Sequence, residues 1–567
     1  MHAIAFVLLH FSLVVISSVQ NGFMFLLFWE LMALSSFLLV IFDHQKAETI
    51  KAGINYLVQS HVSIVFLMLG FIYVAYKTGS YGFDAITLFT RQQTILAGTA
   101  LFLCFFIGFA IKSGFVPFHT WLPYAHPAAP SHVSAVMSGV LIKIGIYGIL
   151  RMLLLIKTDY KTIGYIILII STITGIYGVM LATVQHDLKR LLAYHSIENI
   201  GIIGIGIGLG CIGLGETNKW MAILGFTGAM LHTLNHSLFK SLLFYSAGNV
   251  YQAAHTMNVE RLGGIIKKMP HTAILFLIAA VAICGLPPLN GFISEFLIYG
   301  GLFNWLYSAD FISLISTVFA IGGLVLIGGL AVLCFTKAFS IVFLGNPRSV
   351  YENEITETGF WQRFPMYMTV SLMILIGFFP AFFINALSAP VYLFTEHIVF
   401  DLGLIKVSAI DSLHQINRVF FGFIALVGVI LLIRKYLFRK RTIETGPTWG
   451  CGYSTSDSKI QYTASSFVRT YSKLAKPVLD ISKNEVEISE VFPPEKHYET
   501  HIYDRVERIF IDKPLKFMNK ILDMFVFLQN GYLQRYILYG IIFITAVISM
   551  PLLFAKLKTL VMFLNNL

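Results

Sequence analysis

Charge is what this sequence has least of. Only 12% of its 567 residues are Asp, Glu, Lys or Arg, against about 25% in ordinary soluble domains. A chain with 57% hydrophobic residues and a mean hydropathy of +0.76 cannot cover its apolar surface in water, so its solvent is a bilayer. Cysteine is also scarce. Cys104, Cys211, Cys284, Cys334 and Cys451 stand singly with no CxxC spacing. Iron–sulfur clusters and structural zinc need several converging thiolates, so neither is expected in this chain. Four of the five cysteines are expected as small core residues. No GxGxxG follows a strand and no GxxxxGKS/T occurs, which removes the usual phosphate cradles. The chain is expected to hold no cofactor and no metal; if it serves an oxidoreductase, it carries no electrons itself. The net charge of +11 would suit nucleic acid, but the basic residues sit in short loops and a late polar region, without an RNA-binding or helix-turn-helix pattern. Topology explains them instead, and nucleic acid is not an expected partner. The cluster Arg434, Lys435, Arg439, Lys440 and Arg441 places the region after residue 434 in the cytoplasm by the positive-inside rule.

Long apolar runs are what the sequence has in quantity. They predict an all-α polytopic membrane protein with about thirteen transmembrane helices, near 3–18, 22–42, 52–75, 96–114, 132–155, 162–184, 190–213, 219–248, 271–306, 311–344, 366–387, 419–438 and 536–556. Two spans are interrupted alike. FVPFHTWLP follows FFIGFAIKSG, and LPPLNGFISEF follows AVAICG, so each break joins Gly and Pro to a nearby charge, Lys112 or Glu295. Broken backbone at membrane depth survives only where protein or a wet cavity surrounds it, and paired broken helices mark ion sites in repeat-built transporters. An ordinary proline kink is the plainer alternative. Residues 439–535 are polar and include DRVERIFIDKPLKFMNKILDMFVFLQ, whose helical apolar spacing suits a helix lying on the membrane surface, on partner subunits or on its own chain.

Charges inside the apolar runs are the strongest functional signal. An ionisable side chain at the bilayer centre costs roughly 2.5–3.5 kcal/mol on insertion scales, so each asks for a reason. Glu30, Lys112, Lys143, Lys240 and Glu295 are such residues, and His232, His236 and Lys240 recur every four residues. That spacing lines one helix stripe over about 12 Å. Histidine exchanges protons at cell pH, and a buried lysine can be brought to do so. The stripe is therefore expected to relay protons; a lone buried histidine would more often be a hydrogen-bonded core group. Glu30 beside a lysine would form a switchable pair.

These residues also carry a resemblance. FWELMALSSF, FAIKSGFVPFHTWLPYAHPAAPSHVSAVMSGVLIKIGIYG, DLKRLLAYHSIENIGI, LNHSLFKSLLFYSAG and GLPPLNGFISEF together resemble the antiporter-like proton-pumping subunits of respiratory complex I, of Mrp-type cation/proton antiporters and of membrane-bound hydrogenases. Over residues 1–440 the wording looks closest to hydrogenase-4 and formate hydrogenlyase membrane subunits, helped by TWGCGYSTSDSKIQYTASSF, HYETH and LQNGYLQRYILYG further on. The resemblance implies a proton-translocating subunit, with Na⁺ as an alternative ion, in the inner (plasma) membrane. Its implied partners are other membrane subunits, membrane lipid and the soluble hydrogenase or dehydrogenase arm that does the redox chemistry.

By the same resemblance Glu30 pairs with the broken-helix lysine Lys112, Lys143 is the central connecting lysine, and His232, His236 and Lys240 form the axial run. Glu295 is the terminal ionisable group, and His119, His126, His195 and Glu198 are accessory candidates. The implied organisation is two inverted five-helix repeats, 1–155 and 156–345, further helices at 346–438, the polar segment 439–535 with a lateral amphipathic helix, and a last transmembrane helix at 536–567. Relatives carry about three more helices before the span that precedes Glu30, which implies a misplaced start, a shortened gene or a lineage without them. Tyr124 stands where complex I relatives have aspartate, a subfamily mark. His195 stands where serine is common and either adds a titrating group or, as the plainer expectation, is a loop-end residue without a role. A non-pumping membrane anchor is the reading from another class, and an anchor has no use for the insertion cost of these charges.

Overall fold

Polar residues between the apolar runs set where helices begin. Asn21, Thr94, Asp159, Asp187, Asn218 and Asp310 each accept a hydrogen bond from a first-turn N–H of the helix that follows, which satisfies donors a helix leaves unpaired. The computed structural model describes residues 1–306, 310–349, 351, 354–395, 402–439, 461–484, 499–526 and 531–564. They divide into two units, Met1–Arg505 and Val506–Leu567.

The first unit opens with α1 (His2–Ser18), α2 (Gly22–Val40), α3 (Ala47–Thr78), the short α4 (Phe83–Gln92) and α5 (Ile95–Ser113). A break leads to α6 (Leu122–Ala128), then α7 (Ser131–Val136) runs through a π-helical turn at Met137–Leu141 into α8 (Ile142–Leu155). Next come α9 (Tyr160–Val184), α10 (Leu188–Gly215), α11 (Lys219–Ala254), α12 (Pro270–Ile283), a second break, α13 (Asn290–Leu306) and α14 (Phe311–Phe343). Helices α15 (Phe360–Phe378), α16 (Pro380–Ala386), α17 (Ser388–Thr395) and α18 (Leu402–Leu437) follow. The fold is all-α as predicted except in the polar segment, where α19 (Ala464–Phe467) and α20 (Arg469–Ala475) precede an antiparallel ribbon of β1 (Asp480–Asn484) and β2 (Glu499–Tyr503). HYETH thus ends in a strand, because its own residues and those of β1 pair edge to edge outside the apolar runs. The sequence TWGCGYSTSDSK, with Cys451, and Lys440 and Arg441 lie outside the described residues.

Among the described residues, nine helices are long and apolar enough to cross a membrane, or ten if α15 and α16, bent by 92°, form one span. The remaining expected spans fall on the 17-residue α1, on α11, whose 36 residues include both stripe histidines and Lys240, and on the α12–α13 pair. Helix α10 is the centre of the unit, 94% of its apolar window being buried, whereas α18 buries 6%. Close packing of α9 on α10 depends on glycine: a Cβ at Gly201 would come 2.4 Å from the Gly175 nitrogen, the small-residue contact by which membrane helices associate without a hydrophobic drive.

In the second unit a short helix α21 (Arg505–Glu507) enters from the boundary, a π turn follows at Arg508–Asp512, and α22 (Lys513–Asp523) has Pro514 in its first turn. Leu515, Met518 and Leu522 repeat at helical spacing beside Lys513, Lys516 and Lys520, the amphipathic pattern expected of this stretch. The final helix α23 (Leu533–Leu564) is longer at both ends than its apolar run predicted.

Candidate functional site

The two broken helices share a design. Lys112 lies in the last turn of α5, and Gly114 follows at φ 85°, where the helix stops before Pro117. In the second break Gly285 follows α12 at φ 63°, before Pro287 and Pro288. A Cβ at Gly285 would come 2.5 Å from the Glu295 carboxylate. Glycine there meets both the left-handed backbone and the acid folded against it.

Lys112 is 1% exposed. Its Nζ donates to the Tyr56 hydroxyl at 2.7 Å and to Ser60 Oγ at 3.5 Å, and it lies 4.7 Å from the Tyr56 ring centroid and 6.0 Å from that of Trp121. Tyr56 in turn bonds the Ser36 hydroxyl. The ammonium is therefore held by hydroxyl dipoles and aromatic faces. The expected pair with Glu30 is not among the ion pairs of the described residues: Glu30, its side chain 29% exposed, bonds His61 at 3.2 Å. Helix geometry explains this. Ser36 faces Tyr56, and six residues at about 100° each turn Glu30 about 120° away from Ser36.

The second group is denser. The π turn precedes Lys143, whose Nζ donates to the Ser138 carbonyl, and Ser138 Oγ bonds Ser196 Oγ of α10 at 2.8 Å. Widened turns of this kind recur at functional sites. His232, His236 and Lys240 are all fully buried on α11. Lys143 interacts electrostatically with His232, His236 and Lys240. Lys240 donates to the Leu192 carbonyl and stands 5.1 Å from the Phe244 ring centroid. Glu198 interacts with both Lys240 and Glu295. Around them His232 bonds Ser294 Oγ at 2.9 Å and Asn199 Oδ1 at 3.0 Å, and Asn235 donates to Ser294 at 2.9 Å and to the Asn290 carbonyl at 2.7 Å. So α8, α10, α11 and α13 bring Lys143, His232, His236, Lys240, Glu198 and Glu295 into one cluster. No hydrogen bond joins Lys112 to Lys143 among the described residues.

The accessory candidates separate. His195 is no loop-end residue: it is fully buried inside α10 and bonds Glu198, because the polar start of DLKRLLAYHS is already helical from Leu188. His126 is buried, stacks on Phe244 at 4.9 Å between centroids and interacts with Lys240, Lys189 and Lys143. His119 is buried in the first break and its Nε2 lies 2.8 Å from Asp504 Oδ2.

Sequence reasoning missed two buried lysines. Lys337 on α14 donates to the carbonyls of Thr183 at 2.6 Å and Gln185 at 2.9 Å, neutralising the carbonyl end of α9. Lys189 donates to the Ala129 carbonyl at 2.8 Å. Lys337 sits in CFTKAFSIVF, and the rule that selected Lys143 would have found it. Neutral Asn199, Asn235 and Ser294 carry no such signal.

A family model, the transmembrane region of NADH:quinone oxidoreductase and Mrp antiporter subunits, matches residues 20–322. The chain belongs to this family. Glu30, Lys112, Lys143, the α11 stripe, Glu198 and Glu295 all lie inside the match, whereas Lys337 and Asp504 lie beyond it. Hydrogenase-4 component B of Escherichia coli K12 is 36% identical over 370 residues, covering 65% of this chain and 54% of that protein. Formate hydrogenlyase subunit 3 of the same organism is 33% identical over 401 residues, 70% of this chain and 64% of the relative. The chain thus matches between half and two thirds of the length of these two relatives. The membrane-bound sulfane sulfur reductase, an archaeal respiratory membrane complex, contains a chain that shares the fold at TM-score 0.71 and 22% identity, over 95% of this chain and 82% of that one. This family member is therefore an antiporter-like membrane subunit, and its relatives work within multi-subunit membrane complexes.

Proposed function

We propose that the chain is the proton-translocating subunit of an energy-converting oxidoreductase complex of the hydrogenase-4 or formate hydrogenlyase type, in the plasma membrane, with residues 439–535 on the cytoplasmic side. In this reading thirteen crossings include two inverted five-helix repeats, and a soluble arm of the complex does the redox chemistry. The observation that carries the reading is the cluster from Lys143 through His232, His236, Lys240 and Glu198 to Glu295. Its members lie on four helices, all but the half-buried Glu295 are buried, and they couple electrostatically from one to the next. Six ionisable groups cost roughly 2.5–3.5 kcal/mol each on insertion scales, more than packing requires of any subunit. A row of imidazole, amine and carboxyl groups threaded by Ser and Asn side chains passes a proton by successive short transfers. Lys112, held by Tyr56 and Ser60 beside the first break, is the corresponding group of the first repeat.

The test uses the assembled complex in membrane vesicles. Lys112→Ala or Glu295→Ala abolishes proton translocation while redox activity of the soluble arm with artificial acceptors persists. Unimpaired translocation would remove that residue from the relay.

A further inference from the structure

We propose that Asp504 forms, with His119 and Tyr177, the outer proton-transfer station of the first repeat, supplied by the polar segment that follows the membrane helices. The inference rests on the translocation reading above. Asp504 directly follows β2 and is 2% exposed. Both oxygens of its carboxylate are engaged, Oδ2 with His119 Nε2 at 2.8 Å and Oδ1 with the Tyr177 hydroxyl at 2.7 Å. The carboxylate thus comes from 385 positions along the chain to meet a histidine in the break that follows Lys112. The next residue, Thr120, accepts from Gln59 Nε2 at 2.7 Å, and Gln59 lies on the turn of α3 that presents Tyr56 and Ser60 to Lys112. Polar groups therefore run from Asp504 into the surroundings of Lys112.

Burying a carboxylate carries a desolvation cost that an anchoring contact need not bear, since a neutral amide would hold the segment as well. The segment is in fact pinned elsewhere. His186 Nε2 lies 2.6 Å from Thr500 Oγ1, and Glu260 accepts from the Ala464 and Ser465 nitrogens at 3.0 and 2.8 Å and from Ser465 Oγ at 2.6 Å. Tyr471 donates to the Met180 carbonyl at 3.2 Å. What Asp504 adds is an acid–base partner for an imidazole. His119 Nδ1 is buried with no hydrogen-bond partner among the described residues, so the ring has one nitrogen at the acid and one available on its other side. A proton passes from the Asp504 carboxyl to the unprotonated Nε2, leaving a carboxylate, the imidazolium gives its Nδ1 proton to a water molecule, and tautomer exchange resets the ring. One proton enters and one leaves.

In the assembled complex in vesicles, Asp504→Asn is expected to lower protons moved per redox turnover at least ~10-fold, with assembly and soluble-arm redox activity kept. Asp504→Glu is expected to restore most of the loss. Thr500→Ala, which loosens the strap and leaves the carboxylate, should translocate like the unaltered chain. Translocation by Asp504→Asn at the unaltered level overturns the proposal, as does an Asp504→Glu chain no better than Asp504→Asn, or loss of assembly in both. Lys112→Ala run in parallel separates the two claims. If Lys112→Ala loses translocation and Asp504→Asn keeps it, only this proposal fails; if Lys112→Ala translocates normally, Lys112 leaves the relay and the reading beneath this proposal fails at that residue as well.

Discussion

Lys112, beside the first break, and Lys240, in the cluster on α11, are both almost fully buried and are held differently. Lys112 rests on the Tyr56 and Ser60 hydroxyls and on aromatic faces, and the acid on its side of the fold, Glu30, turns away to His61. Lys240 rests on the Leu192 carbonyl with a buried acid, Glu198, in electrostatic range and Glu295 beyond it. Neutral dipoles support a buried charge locally, whereas a buried carboxylate makes the charge of the lysine depend on its own. In the proposed relay, the cluster around Lys240 is the place where one group's protonation is felt by the next, and the site of Lys112 is the place where hydroxyl orientation decides.

That contrast can be broken by substitution. The largest effect is expected at Glu198→Gln, which keeps shape and removes the charge between Lys240 and Glu295; translocation should fall at least ~10-fold, read as vesicle acidification per redox turnover. Glu30→Gln, on a partly exposed acid, should fall less than Glu198→Gln in the same assay, and an equal loss would erase the distinction between the two sites. Tyr56→Phe takes away the nearest support of Lys112 and should slow translocation several-fold while destabilising the subunit by about 1–3 kcal/mol, measured by thermal unfolding in detergent. The smallest effect on transport is expected at Lys337→Met. It should lower the melting temperature, because the Thr183 and Gln185 carbonyls at the end of α9 lose their donor, and leave protons per turnover unchanged.

Charged residues in apolar surroundings were the legible part of the site. Lys143, Lys240 and the histidine stripe announce themselves because a bilayer penalises them, and spacing alone put His232, His236 and Lys240 on one buried face. The same reasoning placed the two breaks, since Gly and Pro near a charge leave few alternatives. What it could not read was azimuth and distance. Glu30 is a charge in an apolar run like the others, but only the rotation of α2 against α3 decides that Ser36 and not Glu30 meets Tyr56. His195 looked peripheral because α10 begins with polar residues, and its burial comes from where α10 sits in the bundle. Asp504 lay in a polar stretch where a carboxylate is ordinary, and nothing local marks its partner so far away. The β1–β2 ribbon, lacking an alternating apolar pattern, was invisible for the same reason.

The central claim is that buried titratable groups hand a proton along the row through Lys240. Its most direct test is proton uptake per redox turnover, followed with a pH-sensitive dye, in vesicles holding the complex with Lys240→Ala. Continued electron flow with proton movement reduced to background is the predicted result, and proton movement at the unaltered ratio would contradict it.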